Sequence, residues 1–348
     1  MNNYNSFVNS KGPHSDITLN PEHGGPVLCM DANRDIVVTG STDHGLRVYS
    51  LTTGKQHKEL YNKSYGHTEW VTCVSILPDS RVVSGGMDSK ICLWEAVGVK
   101  CKYLSDHSGS ISHLKCDDKG VLLSSSYDSS IRIYDMNHSV SSVGVLCGMH
   151  KGPVTTFEWT NSLCASAGRD GEVCVWDINE EKCLQKIKLH NGQISKIKFH
   201  SDDSNTNLII TAGMNDGVLS AVDMRSNTKV FSKRVHSGAI NFMDSNQSNL
   251  IITGSADKTI KLMDITKSFD ELGKMKSTDS ITCGDLYESI LAVGCADGNL
   301  LAYNIDTLDC MYGYGVDNKG TVKNVKIIPE KKKIITSGDS GHGMILLY

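Results

Sequence analysis

Histidine, aspartate and serine recur together along this chain of 348 residues, and these are the side chains from which acid–base catalysis and metal sites are built. Two sets stand out: His67, Ser84, Asp88 and Trp94, then His150, Ser166, Asp170 and Trp176. A reacting centre would gather such groups in one place. Here six histidines (His23, His67, His107, His150, His190, His236) and seven aspartates (Asp43, Asp88, Asp128, Asp170, Asp216, Asp257, Asp297) are dealt out one of each per repeat, which separates them by construction. No Gly-x-Ser-x-Gly, Gly-rich phosphate loop or His-Glu-x-x-His accompanies them. The twelve cysteines include no Cys-x-x-Cys pair and no Cys/His cluster with metal spacing. They read as small buried apolar residues. His113 and His200 follow no repeat and read as a satisfied strand residue and a turn residue. No catalytic residue, metal ligand or cofactor site is assigned, and the expectation is a non-enzymatic protein.

The elements that carry these residues repeat eight times. Each turn aspartate, from Asp43 before Tyr49 to Asp297 before Tyr303, precedes by six residues an apolar residue ending a strand; His342 before Tyr348 is taken as the eighth copy. Successive copies lie 45, 40, 42, 46, 41, 40 and 45 residues apart, so one supersecondary unit is repeated. In the second copy, Trp70–Leu77 alternates and is rich in β-branched residues, which predicts a strand. Arg81–Ser84 and Lys90–Trp94 predict two more, around the turn Gly85-Gly86-Met87-Asp88-Ser89, and a polar stretch to Leu104 a fourth. Four strands cannot bury both faces alone, whereas sheets packed radially can.

On these residues the chain resembles the WD-repeat β-propeller family over nearly its whole length, with Trp176-Asp177 its one literal Trp-Asp and His67 the one of the six column histidines that follows a Gly. The resemblance implies an all-β, closed propeller of four-stranded blades, in which the His, a strand Ser/Thr, the turn Asp and the Trp hydrogen-bond within each blade. The hydroxyl residues that match are Thr39, Ser84, Ser124, Ser166, Thr211 and Thr253. The seventh copy departs, with Val293 in the hydroxyl column and Lys276 where the His would fall. Eight blades are favoured over seven, because Asp16–Leu19 lies where a fourth strand would complete a last blade ending at Tyr348. The domain expected is residues 15–348, after a polar, Asn-rich and disordered tail of residues 1–14.

Bulk properties exclude more than they assign. Net charge is −4 with scattered Lys and Arg, against a nucleic-acid or membrane surface. Unpaired thiols, no apolar signal-peptide core and no 18-residue apolar run point to a cytoplasmic protein, with nucleus, cytoskeleton or cilium as alternatives. Lys186, Lys188, Lys196 and Lys198 read as protection of a strand edge, and Lys331–Lys333 as a solvated turn.

The resemblance also places a docking face at the turns before the third strands. Carried over position by position, the residue before each turn Asp reads Thr42, Met87, Tyr127, Arg169, Asn215, Ala256, Ala296 and Gly341, with Trp70 beside Met87. Further neighbours are Thr72, Ser112, Thr155, Gln193 and Ser195. Trp70, Met87, Tyr127, Arg169 and Asn215 therefore form the expected site for a partner protein or peptide. The function expected is a scaffold or adaptor in a multiprotein assembly, of cytoskeletal, ciliary or other type. The alternative is a substrate receptor of a cullin-type ubiquitin ligase, because Val222-Asp223-Met224-Arg225 resembles an adaptor-docking box through Asp223 and Arg225.

Overall fold

A computed structural model describes residues 13, 15–61, 64–95, 98–104, 106–138, 141–160, 162–201, 207–246, 249–317 and 320–348. The expected tail of residues 1–14, apart from residue 13, and most of the polar loop 201–207 lie outside them. The described residues form 32 strands, numbered β1–β32 in chain order, and one short 3-10 turn. They pair into eight four-stranded antiparallel sheets.

Blade 2 shows why the sequence folds this way. Its first strand, β6 (Val71–Ile76), alternates buried and half-buried residues. The middle strands β7 (Val82–Gly86) and β8 (Ile91–Trp94) are buried throughout, and the polar β9 (Cys101–Leu104) closes the outer edge. Thus the alternating strand lines the axis and the two-sided apolar strands fill the body.

The core is not central. It is divided into eight apolar clusters, one at each junction between neighbouring blades. The last joins Ile335 and Ile345 of blade 8 to Val37 and Tyr49 of blade 1, so the ring closes at eight. In the final blade β1 (Ser15–Thr18) pairs antiparallel with β32 (Gly343–Leu347), with Ile17 opposite Ile345. Polar side chains on the first strands reinforce the ring. Ser112 donates to the Val154 carbonyl (2.6 Å), Thr155 to Ile194 (3.1 Å) and Asn241 to Ile281 (2.7 Å), each reaching into the next blade.

The backbone corrects the eighth copy. The residue after the turn Asp is left-handed in every blade: His44, Ser89, Ser129, Gly171, Gly217, Lys258, Gly298 and Gly341. The aspartate slot of blade 8 is therefore Ser340, not His342. Its third-strand column is Leu346, paired with Ile334 as Trp94 pairs with Val82, and Tyr348 lies beyond the strand. A second column also moves. His190, His236 and Asp317 donate backbone N–H to the residue after the preceding turn slot, and in blade 7 Ser277, not Lys276, does so.

Candidate functional site

The polar columns come first, because they could be mistaken for a relay. In blade 2, His67 donates from Nδ1 to Asp88 (2.9 Å) and accepts at Nε2 from the Ser84 hydroxyl (2.8 Å). Trp94 Nε1–H, which can only donate, fills the other side of Ser84 Oγ at 2.8 Å. Blade 4 repeats this through His150, Asp170, Ser166 and Trp176 at 3.0, 2.7 and 2.8 Å. The acceptor-only carboxylate requires the proton on Nδ1 in both blades. Asp, His and Ser are linked here as in a nucleophilic triad, yet Ser84 and Ser166 are fully buried, and their oxygens already hold two and three bonds respectively. The arrangement clamps the outer loop to the turn. Burial pushes the Asp88 carboxyl up, but bonds from His67 and the backbone N–H of Thr68 and Lys90 outweigh it and hold it below the usual range.

The turn face presents the expected patch. Trp70 is 46% exposed, Met87 45% and Tyr127 49%, and Arg169 is exposed beside them in sequence order of the blades. The backbone explains the alignment: Met87 N–H donates to the Trp70 carbonyl (2.9 Å), Tyr127 to Ser110 (2.9 Å) and Arg169 to Pro153 (3.0 Å). In blade 5 the same bond, to Gln193, is made by Met214 and not by Asn215. An extra residue lies between Thr211 and Asp216, so Asn215 is an exposed insertion packed over Gly192. The His190–Asp216 bond of this blade is 3.3 Å. Met214, 40% exposed, is the member that sequence spacing missed.

Arg169 has no ion pair or side-chain hydrogen bond to any described residue. Thr72, Ser112, Thr155 and Ser195, expected on this face, instead engage their hydroxyls with the neighbouring blade. The far side of the face differs in kind. Blade 8 shows Asp339 in the column, not Gly341, and pairs Lys323–Asp339 (3.4 Å) and Lys258–Asp279 (2.8 Å) cover blades 8 and 6.

The remaining candidates have structural surroundings. Asp223 accepts from Arg225 N–H (2.9 Å) and the Ser226 hydroxyl (2.9 Å), the turn-capping arrangement also made by Asp135, Asp177 and Asp264. Those bonds hold its carboxyl below the usual range. Lys186 and Lys188 lie on the outer strand β17 (Lys182–Lys188), Lys186 paired with Glu172 (2.8 Å). Lys196 and Lys198 do not share that edge; they lie on the first strand of blade 5, β18 (Ile194–Ser201). His113 is not the satisfied strand residue expected: its Nδ1 is buried without a partner, its ring lies 4.8 Å from Phe157, and burial with nearby lysines pushes it down to about 3. His200 is a strand residue, not a turn residue, bonded to Asn249 (2.9 Å). All twelve cysteines are free thiols. Among the described residues no helix is long and apolar enough to cross a membrane, and no group of three or more His, Cys, Asp and Glu could hold a metal ion.

Ring, repeat and buried polar sets define a WD-repeat β-propeller. The family described as "WD domain, G-beta repeat" matches residues 16–50, 58–95, 98–135, 141–177 and 227–264, more than half of the chain, and the chain belongs to it. Propellers of this family are protein-interaction scaffolds and are generally not enzymes. Relatives include Protein tipD of Dictyostelium discoideum, 24% identical over 75% of this chain and 44% of its own length. WD repeat-containing protein 1 of Xenopus tropicalis is 27% identical over 74% of this chain and 42% of its own. A p21-activated protein kinase-interacting protein 1-like protein of Danio rerio is 24% identical over 57% and 63%. The chain spans less than two thirds of each. The fold superposes on Sqt1 of Saccharomyces cerevisiae with a TM-score of 0.84 at 16% identity, covering 99% of both chains. It also matches the computationally designed Ika8 protein, with a TM-score of 0.83 at 20% identity over 95% of this chain and 99% of that one.

Proposed function

We propose that this protein is a scaffold whose turn face on blades 2–5 captures a partner protein in a multiprotein assembly. The observation that carries the reading is the run of exposed Trp70, Met87, Tyr127 and Met214 around the unpartnered Arg169 guanidinium. Aromatic and thioether side chains bury area at little entropic cost, and a free guanidinium forms two parallel bonds with a carboxylate. The partner segment thus combines an apolar anchor with an Asp or Glu. One relative is named for interaction with a p21-activated protein kinase, an interaction role of the same general kind. A nucleic acid fits less well, since Lys and Arg are scattered and Lys186, Lys198, Lys258, Lys261 and Lys326 are each paired with an acid. The ligase-receptor alternative has weaker support, because Asp223 is engaged within its own turn.

The test is tagged purification with mass spectrometry, comparing wild type with the Trp70→Ala/Tyr127→Ala/Arg169→Ala triple variant at matched melting temperature. Loss of stoichiometric partners in the variant is the expected result. An unchanged set of partners would remove this face from the proposal.

A further inference from the structure

A second site lies on the opposite face. Strand order puts the turns between first and second strands, and those between third and fourth, away from the aspartate turns. There the end of a first strand normally packs on the third-strand turn of the next blade: Leu77 of blade 2 and Met136 of blade 3 are both buried, and the cavity beside them is only about 120 Å³. Between blades 4 and 5 the same junction is open. Trp159, Phe199 and Met224 stay half-buried around a cleft of about 530 Å³. Its floor is the inner ring, where Glu158, Lys198 and Asp244 stand at matching register on adjacent first strands.

Each carboxylate of the cleft is paired through one oxygen and leaves the other free. Glu158 bonds Lys115 through Oε1 alone. Asp244 holds Lys198 (3.0 Å) and Ser245 N–H (2.9 Å) through Oδ1 alone. Glu158 Oε2 and Asp244 Oδ2 have no hydrogen-bond partner among the described residues. Lys196 stands two residues along β18, nearer the aspartate-turn face, and Asp285 adds a further negative charge in the next blade. Burial pushes Lys198 down, yet Asp244, Glu158 and Asp285 outweigh it and keep its ammonium above the usual range.

We propose that this cleft receives the basic side chain of a partner segment, an arginine or lysine with apolar neighbours. Its cationic head reaches the free oxygens of Glu158 and Asp244, and its stem lies against Trp159, Phe199 and Met224. The two carboxylates face inward from blades 4 and 6 across blade 5, so the site needs three consecutive blades packed together. It is independent of the turn face.

The test uses acetylated, amidated Leu-X-Leu peptides, with X as Arg, Lys, Gln or Glu, followed by the Trp159 indole N–H resonance. That resonance is assigned with Trp159→Phe. Arg and Lys peptides are expected to shift it saturably and to bind more weakly as salt rises. Gln and Glu peptides should bind at least about tenfold more weakly, the loss for one charge-assisted bond. Asp244→Asn and Glu158→Gln, checked for native melting, should each weaken the Arg peptide by about tenfold, whereas the Trp70/Tyr127/Arg169 triple alanine should not. Equal binding of the Gln or Glu peptides, or an unmoved Trp159 resonance at millimolar Arg peptide, overturns the proposal. The salt dependence of the wild type decides the question should the carboxylate variants fail to fold.

Discussion

Ser84 and Ser166 show how a reactive constellation becomes a structural one: each hydroxyl donates to histidine and accepts from an indole, with no access from solvent. Trp94→Phe removes a donor and leaves the Ser84 oxygen half-satisfied inside the blade. The expected cost is about 1–3 kcal/mol in urea unfolding, the usual penalty for a buried polar group that loses its partner. No loss would mean that Ser84 does not rely on the indole. Acid acts through the same groups. The folded chain holds His113, His190 and His236 below the ordinary imidazole value of 6.5, chiefly through burial. The unfolded chain therefore binds more protons below 6.5, and stability falls as pH drops from there. The carboxyls act lower: burial pushes Asp257 up, but Thr259, Ser237 N–H and His236 hold it at about 2 against an ordinary 3.8, so its contribution is complete above 3.8 and lost towards 2. Unfolding free energy measured from pH 7.5 to 3 should decline in two stages, and His113→Gln should flatten the upper one. A flat profile between pH 7 and 5 would contradict this account.

At the level of the blade, what could be read from sequence depended on how many polar members fix the register. Blades 2 and 4 carry all four; the third strand of blade 2 ends at Trp94 as expected, while its second runs on through Gly85 and Gly86, which spacing had put in the turn. Blade 8 has only Thr336 in its hydroxyl slot, with Ser340 and Leu346 in the others, and His342 and Tyr348 imitate the spacing two residues away. Blade 5 hides its extra turn residue because the spacing from Asp216 to Val222 is unchanged, which put Asn215 where Met214 stands. The cleft was not legible at all: its floor joins residues from three blades, and only the packing of blade on blade brings them together. Blade 8 also inverts the usual set. Asp317 sits buried in the histidine slot and accepts from Ser340 N–H (3.2 Å). Ser340→Asp alone sets two carboxylates against each other and should destabilise by about 1–3 kcal/mol. Adding Asp317→His rebuilds a His–Asp pair over Thr336 and should recover most of that loss. A double-mutant cycle in urea measures the coupling, and additive effects would mean that the two slots do not meet.

The whole ring depends on a strand that joins its two ends. β32 pairs with β31 (Lys333–Gly338) on one side and with β1 on the other. Its side chains divide between two cores: Leu346 enters the junction with blade 7, and Ile345 the junction with blade 1. Deleting residues 343–348 therefore removes two sheet pairings and opens both faces of blade 8, exposing Ile334 and Ile335 together. Each junction is one of eight separate clusters, so blades 2–6 keep their own contacts while blades 8, 7 and 1 lose a neighbour in turn. The truncated chain should lose its single cooperative melt, bind a hydrophobic dye and be cut first in blades 8 and 1 under limited proteolysis. The triple alanine on the turn face, by contrast, removes side chains about half exposed and no sheet pairing, and should leave a single cooperative melt. A truncated chain that melts in one transition at the wild-type temperature would show that the arc of blades is stable without closure. The cleft between blades 4 and 5 could then survive an opened ring, and the Trp159 resonance of the truncated chain would show whether it does.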